Sequence, residues 1–322
     1  MNLNRNESME YENAYKLMKK LLLDNQGKNL DDLIKGEEIE TSCGLCYAIE
    51  EDFNFKLNIL SSKKAKENIL SDLKLLNGIG EVKELKLKNE GYKTIEDLTS
   101  HDKFGEEASK FSKLLSNEDK CEIEDWICRW YPRSHPLVLF SSSFSQDHDF
   151  IFLDIETLGF FNQPIILLGL AKVHGNKIKV KQYLSRKLGE EKAVLESFLT
   201  NVDPNSVFVT FNGQTFDLPF IKNRMSYFNL NNNVNHPHFD MLHFTRRQWS
   251  EELMNCQLTT LERHLFDIIR DDDVPSGMIP QFYRTFIRTD NVGPLVPIIE
   301  HNQQDIITLA MIFSRLHEQY IY

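Results

Sequence analysis

The sequence predicts an α/β protein, with a mixed five-stranded sheet flanked by helices in its second half and a small, mostly helical region before it. Three observations predict this class. Residues 150–155 and 206–211 are short runs of bulky apolar residues, typical of buried strands. Residues 216–228 and 295–320 instead place apolar residues at helical spacing. Residues 62–135 read as helical throughout.

The chain of 322 residues is long enough for two or three domains. A helix is expected at Glu10–Leu23 and a β-like stretch around Gly44–Leu60, in a part of the chain to which we assign no function. Serine-rich, polar sequence after residue 140 indicates a linker. The four regions are the N-terminal region (1–61), the helical region (62–135), the linker (136–148) and the α/β domain (149–322).

The α/β domain begins with three strands, expected near residues 149–155, 165–174 and 177–184 and antiparallel to one another. A helix at Glu190–Thr200 follows, and then the strand and helix named above. The helix at residues 295–320 has a stripe of apolar side chains. We expect this stripe to pack on the sheet and close one side of it.

Asp154 and Glu156 end the first apolar run. Side chains two positions apart on a strand point to the same face, so the two carboxylates project together. At that separation they repel each other and raise each other's pKa unless a cation lies between them. A hard divalent ion with oxygen ligands, Mg²⁺ or Mn²⁺, fits this need. The alternative is an exposed strand end that has two acids by chance.

Two further acidic positions extend this pattern. Asn212 begins an Asn-Gly turn after the strand at 206–211, and Asp217 lies at the start of the next helix, beside the sheet end. His301 and Asp305 are four residues apart and share one face of the last helix, next to its apolar stripe. The alternatives are a helix-capping role for Asp217 and a surface pair for His301 and Asp305.

The three motifs together resemble those of the DEDD superfamily of 3′→5′ exonucleases, which have a ribonuclease H-like fold. More narrowly, residues 148–322 look like the YprB-type ribonuclease H-like domain, a group of predicted nucleases. One feature departs from the pattern: histidine-bearing DEDD enzymes place this residue five positions before the last Asp, whereas His301 lies four before it. The resemblance is based on Phe152–Thr157, Asn212–Asp217, Asp240–His243, Leu258–Glu262, Val274–Gly277, Ile279–Tyr283 and His301–Asp305.

This resemblance implies phosphodiester hydrolysis by a two-metal mechanism at the 3′ end of DNA or RNA. It makes His301 the group that orients or deprotonates the attacking water. It also places Thr157, Leu158 and Asn212 against the terminal nucleotides, while we interpret Asp240 as structural. The ligands of two Mg²⁺ or Mn²⁺ ions would be Asp154, Glu156, Asp217 and Asp305.

The helical region contains a second nucleic-acid signal. Gly78 and Gly80 bracket a tight turn, and the helix after it would present unpaired N–H groups to an anion. Lys83 adds positive charge to that helix. The segment resembles the helix-hairpin-helix motif, which grips a nucleic-acid phosphate without reading sequence and favours DNA over RNA as the substrate. The alternative is a tight helical turn with no ligand.

Composition limits these predictions. The chain has 37 basic and 48 acidic residues, a net charge of −11, so nucleic acid would be bound by local patches and metal rather than by a global field. Arg246, Arg247 and Arg288 are candidate phosphate contacts, with solvated surface charge as the alternative. Five cysteines and no secretory leader favour the cytoplasm, and no apolar run is long enough for a membrane.

Two functions from other classes remain open at this stage. One is a non-catalytic nucleic-acid-binding or adaptor protein that retains the same scaffold, favoured by the displaced position of His301. The other is a structure-specific endonuclease, which would release internal fragments rather than mononucleotides. The intact set of four acidic residues argues against the non-catalytic protein, whereas the sequence does not distinguish the endonuclease from an exonuclease. The sequence gives no oligomeric state.

Overall fold

The computed structural model describes residues 3–231, 234–271 and 273–321. The strands are β1 (Glu37–Thr41), β2 (Gly44–Asn54), β3 (Phe150–Thr157), β4 (Ile165–His174), β5 (Lys177–Leu184), β6 (Val207–Thr210) and β7 (His238–Asp240). The α-helices are α1 (Leu3–Asp24), α2 (Leu30–Leu33), α3 (Ser62–Leu70), α4 (Glu81–Asn89), α5 (Gly105–Ser116), α6 (Lys120–Cys128), α7 (Pro136–Ser141), α8 (Glu191–Leu199), α9 (Asp217–Tyr227), α10 (Met241–Trp249), α11 (Leu258–Phe266), α12 (Ile279–Thr289) and α13 (Leu295–Glu318).

The strands that the structure describes form one mixed sheet in the order β1-β2-β5-β4-β3-β6-β7. Each pair of neighbours among β1, β2, β5, β4 and β3 is antiparallel. Strand β6 pairs with β3 in parallel, and β7 pairs with β6 in parallel. The α/β class with flanking helices is therefore confirmed, as are the three antiparallel strands. The sheet has seven strands instead of the expected five, because β1 and β2 of the N-terminal region join it through β5.

Side-chain alternation along β3 determines which face each residue occupies. Ile151, Leu153 and Ile155 pack in one apolar cluster with residues of α8 and α9. Phe150 and Phe152 point to the opposite face, where they pack with residues of α13. Asp154 and Glu156 continue the row of these two phenylalanines, so β3 directs both carboxylates to the side of the sheet that α13 covers.

Residues 136–148, expected to be a linker, are instead largely buried. Pro136–Ser141 forms α7, and Ser141, Ser142 and Ser143 are all buried. The hydroxyls of Ser141 and Ser142 donate hydrogen bonds to the carbonyls of Val138 and Leu139, both at 2.7 Å. A serine that bonds to the preceding helical turn has its polar atom satisfied, which explains the burial of Ser141 and Ser142, whereas the buried Ser143 hydroxyl has no hydrogen-bond partner in the described part of the chain.

The N-terminal helix α1 packs on α12 rather than standing apart. Ala14 and Met18 are buried in one apolar cluster with Phe282 and Tyr283 of α12. Asn291 reinforces the contact by donating a hydrogen bond to the Leu22 carbonyl at 2.9 Å. No helix in the described part of the chain is both long and apolar enough to cross a membrane.

Gly169 on β4 lies opposite Asp154 on β3 and directly beneath α13. A Cβ at this position would overlap the side chains of Asn302 and Ile306. Gly169→Ala is therefore expected to push α13 away from the sheet and to lower the free energy of unfolding by about 1–3 kcal/mol. Urea denaturation measures this loss.

Gly189→Ala is the matched control for this prediction, because a Cβ at Gly189 would meet nothing within 4 Å. It is expected to leave the urea midpoint unchanged or slightly raised. Equal stability of the two variants would show that α13 does not approach β4 as closely as described.

Candidate active site

Four acidic side chains from three elements meet beside the end of β3. Asp154 and Glu156 come from β3, Asp217 is the first residue of α9, and Asp305 lies on α13. Burial raises the pKa of Asp154 well above its ordinary value, and the charges of Glu156, Asp305 and Asp217 raise it further. The same pattern holds for the pKa of Glu156, which burial and the charges of Asp305 and Asp217 raise. The structure therefore brings the four predicted carboxylates into one electrostatic cluster.

Asp217 is buried at the N-terminus of α9, where its Oδ1 accepts a hydrogen bond from the Ile155 backbone N–H at 3.2 Å. Burial raises the pKa of Asp217 to about 7, although its hydrogen bonds to backbone N–H groups oppose this, and the charges of Asp240 and Asp305 add to the rise. A helix-capping role alone does not explain a carboxylate at this position, because three other acids lie around it.

Asp240 fixes the loop that leads to Asp217. Its Oδ1 accepts from the Asn212 backbone N–H at 2.7 Å, and its Oδ2 accepts from that of Gln214 at 3.0 Å. The backbone of Asn212 is left-handed, with φ of 64°, a conformation that Asn tolerates better than most residues. Asp240 thus has the structural role that its sequence context indicated, and it holds Asp217 beside β3.

Asn302 positions Asp154 from the opposite side. Its Nδ2 donates to Asp154 Oδ2 at 2.6 Å, and its Oδ1 accepts from Gln182 Nε2 at 2.8 Å. Gln182 on β5 also donates to the Ile299 carbonyl of α13 at 2.9 Å. A buried chain of hydrogen bonds therefore connects β5, α13 and the Asp154 carboxylate. The sequence placed Asn302 inside a motif but gave no signal for this role.

His301 lies at the centre of the acidic cluster. Its Nε2 is 3.5 Å from Asp305 Oδ2 and 4.0 Å from Glu156 Oε1. Its Nδ1 is 2.7 Å from Oδ1 of Asp273, a residue that sequence reasoning did not identify. Burial lowers the pKa of His301, but the charges of Asp305 and Asp273 outweigh burial and raise it above the ordinary value. Asp273 therefore fixes the imidazole, and the surrounding carboxylates raise the pKa of His301 in the metal-free protein.

Arg270 is the second functional candidate that the sequence did not indicate. Its Nη2 donates to Glu262 Oε1 at 2.7 Å and its Nε to Glu262 Oε2 at 2.8 Å, a two-point contact with a fully buried carboxylate. The same guanidinium contacts Asp305 and lies 3.5 Å from Asp273. Arg270 therefore supplies positive charge within the acidic cluster. It follows α11 in a segment without regular structure, which gives no sequence pattern to recognise.

The donor set of the cluster fits a hard divalent ion, because its carboxylate oxygens are buried and raise one another's pKa. Among the residues that the structure describes, no three His, Cys, Asp or Glu side chains are arranged to hold an ion. In this arrangement Asp305 contacts Arg270, and Asp154 accepts a hydrogen bond from Asn302, so an ion would compete with these partners for the two carboxylates.

A cleft of about 1200 Å³ opens over the cluster. Asp154, Asn212, His301 and Asp305 line it. Thr157 and Leu158 are buried and are not among its lining residues. Thr157 Oγ1 donates to the Gly159 carbonyl at 2.9 Å, and the Leu158 side chain packs in the apolar cluster that includes α12. The side chains of Thr157 and Leu158 are thus not presented to the cleft, in contrast to their predicted role.

One glycine of the turn at Gly78 and Gly80 has a backbone that favours glycine. Gly78 is left-handed, with φ of 77°, whereas Gly80, the N-cap of α4, is extended, with φ of −104°. A Cβ at either glycine would meet nothing within 4 Å. Lys83 of α4 folds back and donates a hydrogen bond to the Gly78 carbonyl. The turn leaves its face open to a ligand, and a helical turn without a ligand has the same geometry.

The sheet contains an antiparallel β3-β4-β5 meander with β6 parallel to β3, and the carboxylates lie on β3, α9 and α13. This combination defines a ribonuclease H-like protein. The chain matches the family model of the RNase H superfamily over residues 151–317 and belongs to that superfamily. It is also 32% identical over 203 residues to the uncharacterized protein YprB of Bacillus subtilis (strain 168). That match covers 62% of this chain and 49% of YprB, so the chain spans about half the length of this relative. The recognition of a YprB-like ribonuclease H-like domain is confirmed.

Proposed function

We propose that this protein is a metal-dependent 3′→5′ exonuclease that hydrolyses phosphodiester bonds by a two-metal mechanism. The observation that supports this most is the cluster of Asp154, Glu156, Asp217 and Asp305, whose charges raise the pKa of Asp154. A buried group of like charges is costly unless cations or protons neutralise it. Membership of the RNase H superfamily supports nucleic acid as the substrate. It also supports divalent ions as the cofactor, because nucleases of this fold generally use them.

Each residue of the cluster has a separate role in this proposal. The four carboxylates hold two Mg²⁺ or Mn²⁺ ions, which when bound would neutralise charge on the attacking and leaving oxygens. Asp273 holds the proton on Nδ1 of His301, at 2.7 Å, and directs Nε2 towards the cluster. His301 then orients the attacking water through Nε2 and takes its proton. With ions bound, Asp305 would be a ligand rather than a partner of Arg270, and Arg270 would keep its two contacts with Glu262.

The 3′ end of DNA or RNA is the proposed substrate, with Asn212 beside the terminal nucleotide at the edge of the cleft. The backbone N–H groups at the start of α4, next to Gly78 and Gly80, would bind a phosphate at a distance from the cut. The resemblance of this turn to the helix-hairpin-helix motif leads us to favour DNA over RNA as the substrate. A cytoplasmic location is part of the same proposal.

Digestion of end-labelled DNA and RNA strands with Mg²⁺ or Mn²⁺ tests the activity and its direction. A 5′-labelled strand that shortens in steps from its 3′ end, with release of mononucleotides, is the expected result. Internal fragments from a strand with blocked ends would instead support a structure-specific endonuclease. Undigested strands with either ion would contradict the proposal.

A non-catalytic nucleic-acid-binding protein is the second candidate, and the contact between Arg270 and Asp305 favours it. An internal guanidinium that permanently neutralises Asp305 would leave no place for a metal ion. Calorimetric titration with Mn²⁺ separates the two functions. Binding that depends on Asp305 supports the exonuclease, whereas binding of nucleic acid without any Mn²⁺ binding supports the non-catalytic protein.

A further inference from the structure

The N-terminal helix α1 lines the cleft that leads to the acidic cluster. The cleft-lining residues of α1 include Asn13, Lys16 and Lys20, which recur along one face of the helix. Arg246 of α10 and Arg263 of α11 line the same cleft. A segment outside the ribonuclease H match at residues 151–317 thus contributes to the lining of the cleft that contains Asp154 and Asp305.

Helix α1 is held to the fold by residues that contact α12 and do not line the cleft. Met18 is buried against α12, where its sulfur accepts a hydrogen bond from Thr285 Oγ1 at 3.4 Å. Tyr15 Oη donates to Gln281 Oε1 at 3.1 Å. Because α12 also packs with the first turns of α13 in the same apolar cluster, α1 has a defined position relative to the helix that contributes Asp305.

The lining of the cleft combines residues of the acidic cluster with four cations outside it, Lys16, Lys20, Arg246 and Arg263, and α1 also contributes Glu10. Lys20, Arg246 and Arg263 are exposed, and in the described part of the chain none of them forms an ion pair. Lys16 contacts Glu12 at 2.8 Å, but both side chains are about two-thirds exposed, so water and salt compete with this pair. Lys20, Arg246 and Arg263 therefore concentrate positive charge in one cleft of a chain whose net charge is −11. This positive charge fits a polyanion whose reacting end reaches the carboxylates.

The dimensions also indicate a polymer. The volume of about 1200 Å³ exceeds the roughly 300–1,000 Å³ of small-molecule sites. Single-stranded nucleic acid binds in positively charged grooves that follow its backbone.

We propose that α1 binds the phosphates of a single-stranded nucleic acid, through Lys16 and Lys20, just before the 3′ end that lies over Asp154. The identity of the ligand rests on the proposed function, whereas the role of α1 rests on its place in the cleft. Lys19, the neighbour of Lys20, is exposed on the same helix but does not line the cleft, and it is therefore the matched control.

The test measures binding of a labelled single-stranded oligonucleotide by fluorescence anisotropy over a series of salt concentrations. Asp154→Asn is present in every protein so that the strand stays intact. Each phosphate contact contributes about −0.7 to the slope of log affinity against log salt. Lys16→Gln combined with Lys20→Gln is expected to make the slope shallower by about 1.4, twice that contribution, whereas Lys19→Gln leaves it unchanged.

The outcomes separate this inference from the proposed function. If strands bind but the double variant has the same slope as Lys19→Gln, the inference for α1 is wrong and the exonuclease proposal stands. If the Asp154→Asn protein with native α1 binds no strand and the native protein digests none, both are wrong. Tighter binding of a blunt duplex than of the single strand would overturn the single-stranded assignment.

Discussion

Asp154→Asn is expected to abolish Mg²⁺- or Mn²⁺-dependent digestion of 3′-ended strands, lowering kcat by about a thousandfold, the upper end for loss of one transition-state-stabilising group. Asparagine retains the shape of the side chain and can still accept the hydrogen bond from Asn302 Nδ2. It removes the negative charge that would hold a divalent ion. Release of mononucleotides from an end-labelled strand under saturating substrate gives the measurement.

The control is Asp52→Asn, the same substitution on an exposed residue of β2. It is expected to digest strands at the normal rate. The melting temperature of metal-free Asp154→Asn should equal or exceed that of the native protein, because the substitution relieves repulsion from Glu156 and Asp305. Undiminished digestion by a folded Asp154→Asn protein would refute the metal-ligand role.

The second large effect concerns stability and pH in the metal-free protein. The folded pKa of Asp217, about 7, lies above its ordinary value of 3.8, so the folded state retains its proton to higher pH than the unfolded chain does. The stabilisation from this group is fully present below about pH 4 and is lost as pH rises to 7. A shift of about three pKa units corresponds to roughly 4 kcal/mol, with each unit contributing about 1.4.

Other buried groups titrate in this window, so the comparison is between the native protein and Asp217→Asn. Burial raises the pKa of Glu124 to about 7 as well, and burial lowers the pKa of His317 to about 3. Both contributions are common to the two proteins and cancel in the difference, whereas loss of the Asp217 charge also lowers the pKa of Asp154 and Glu156 and so adds to the expected gain. The variant is expected to gain free energy of unfolding over the native protein as pH rises from 4 to 8, measured by urea denaturation with a chelator present. Added Mn²⁺ should reduce this gain, and a difference independent of pH would contradict the expected protonation of Asp217.

The sequence predicted the central strands well because their signal is local. The expected strands at 165–174 and 177–184 are β4 and β5 with the same bounds. The pairing of β2 with β5 could not be read in this way, since it joins residues such as Ile49 and Gln182 that are far apart in sequence. The buried α7 was missed for a related reason: tertiary packing, rather than composition, buries Ser141 at its end and Ser142 and Ser143 after it.

The carboxylates of the candidate site were predictable, whereas their partners were not. Asp154 and Glu156 follow a strand at a spacing that identifies a shared face. Arg270 and Asp273 come from the segment after α11, where no periodicity links them to the site. Their positions beside His301 depend on how this segment packs against α13. A sequence motif gives residues on regular elements but not the loop residues that neutralise and orient them.

Calorimetric titration of Mn²⁺ into the native protein and into Asp305→Asn tests most directly whether the acidic cluster holds metal. Two ions per chain are expected for the native protein, with weakened or lost binding in the variant. Asp52→Asn should bind as the native protein does. Absence of Mn²⁺ binding to the native protein, or equal binding by Asp305→Asn, would show that Arg270 and protons, rather than metal ions, neutralise these four acids.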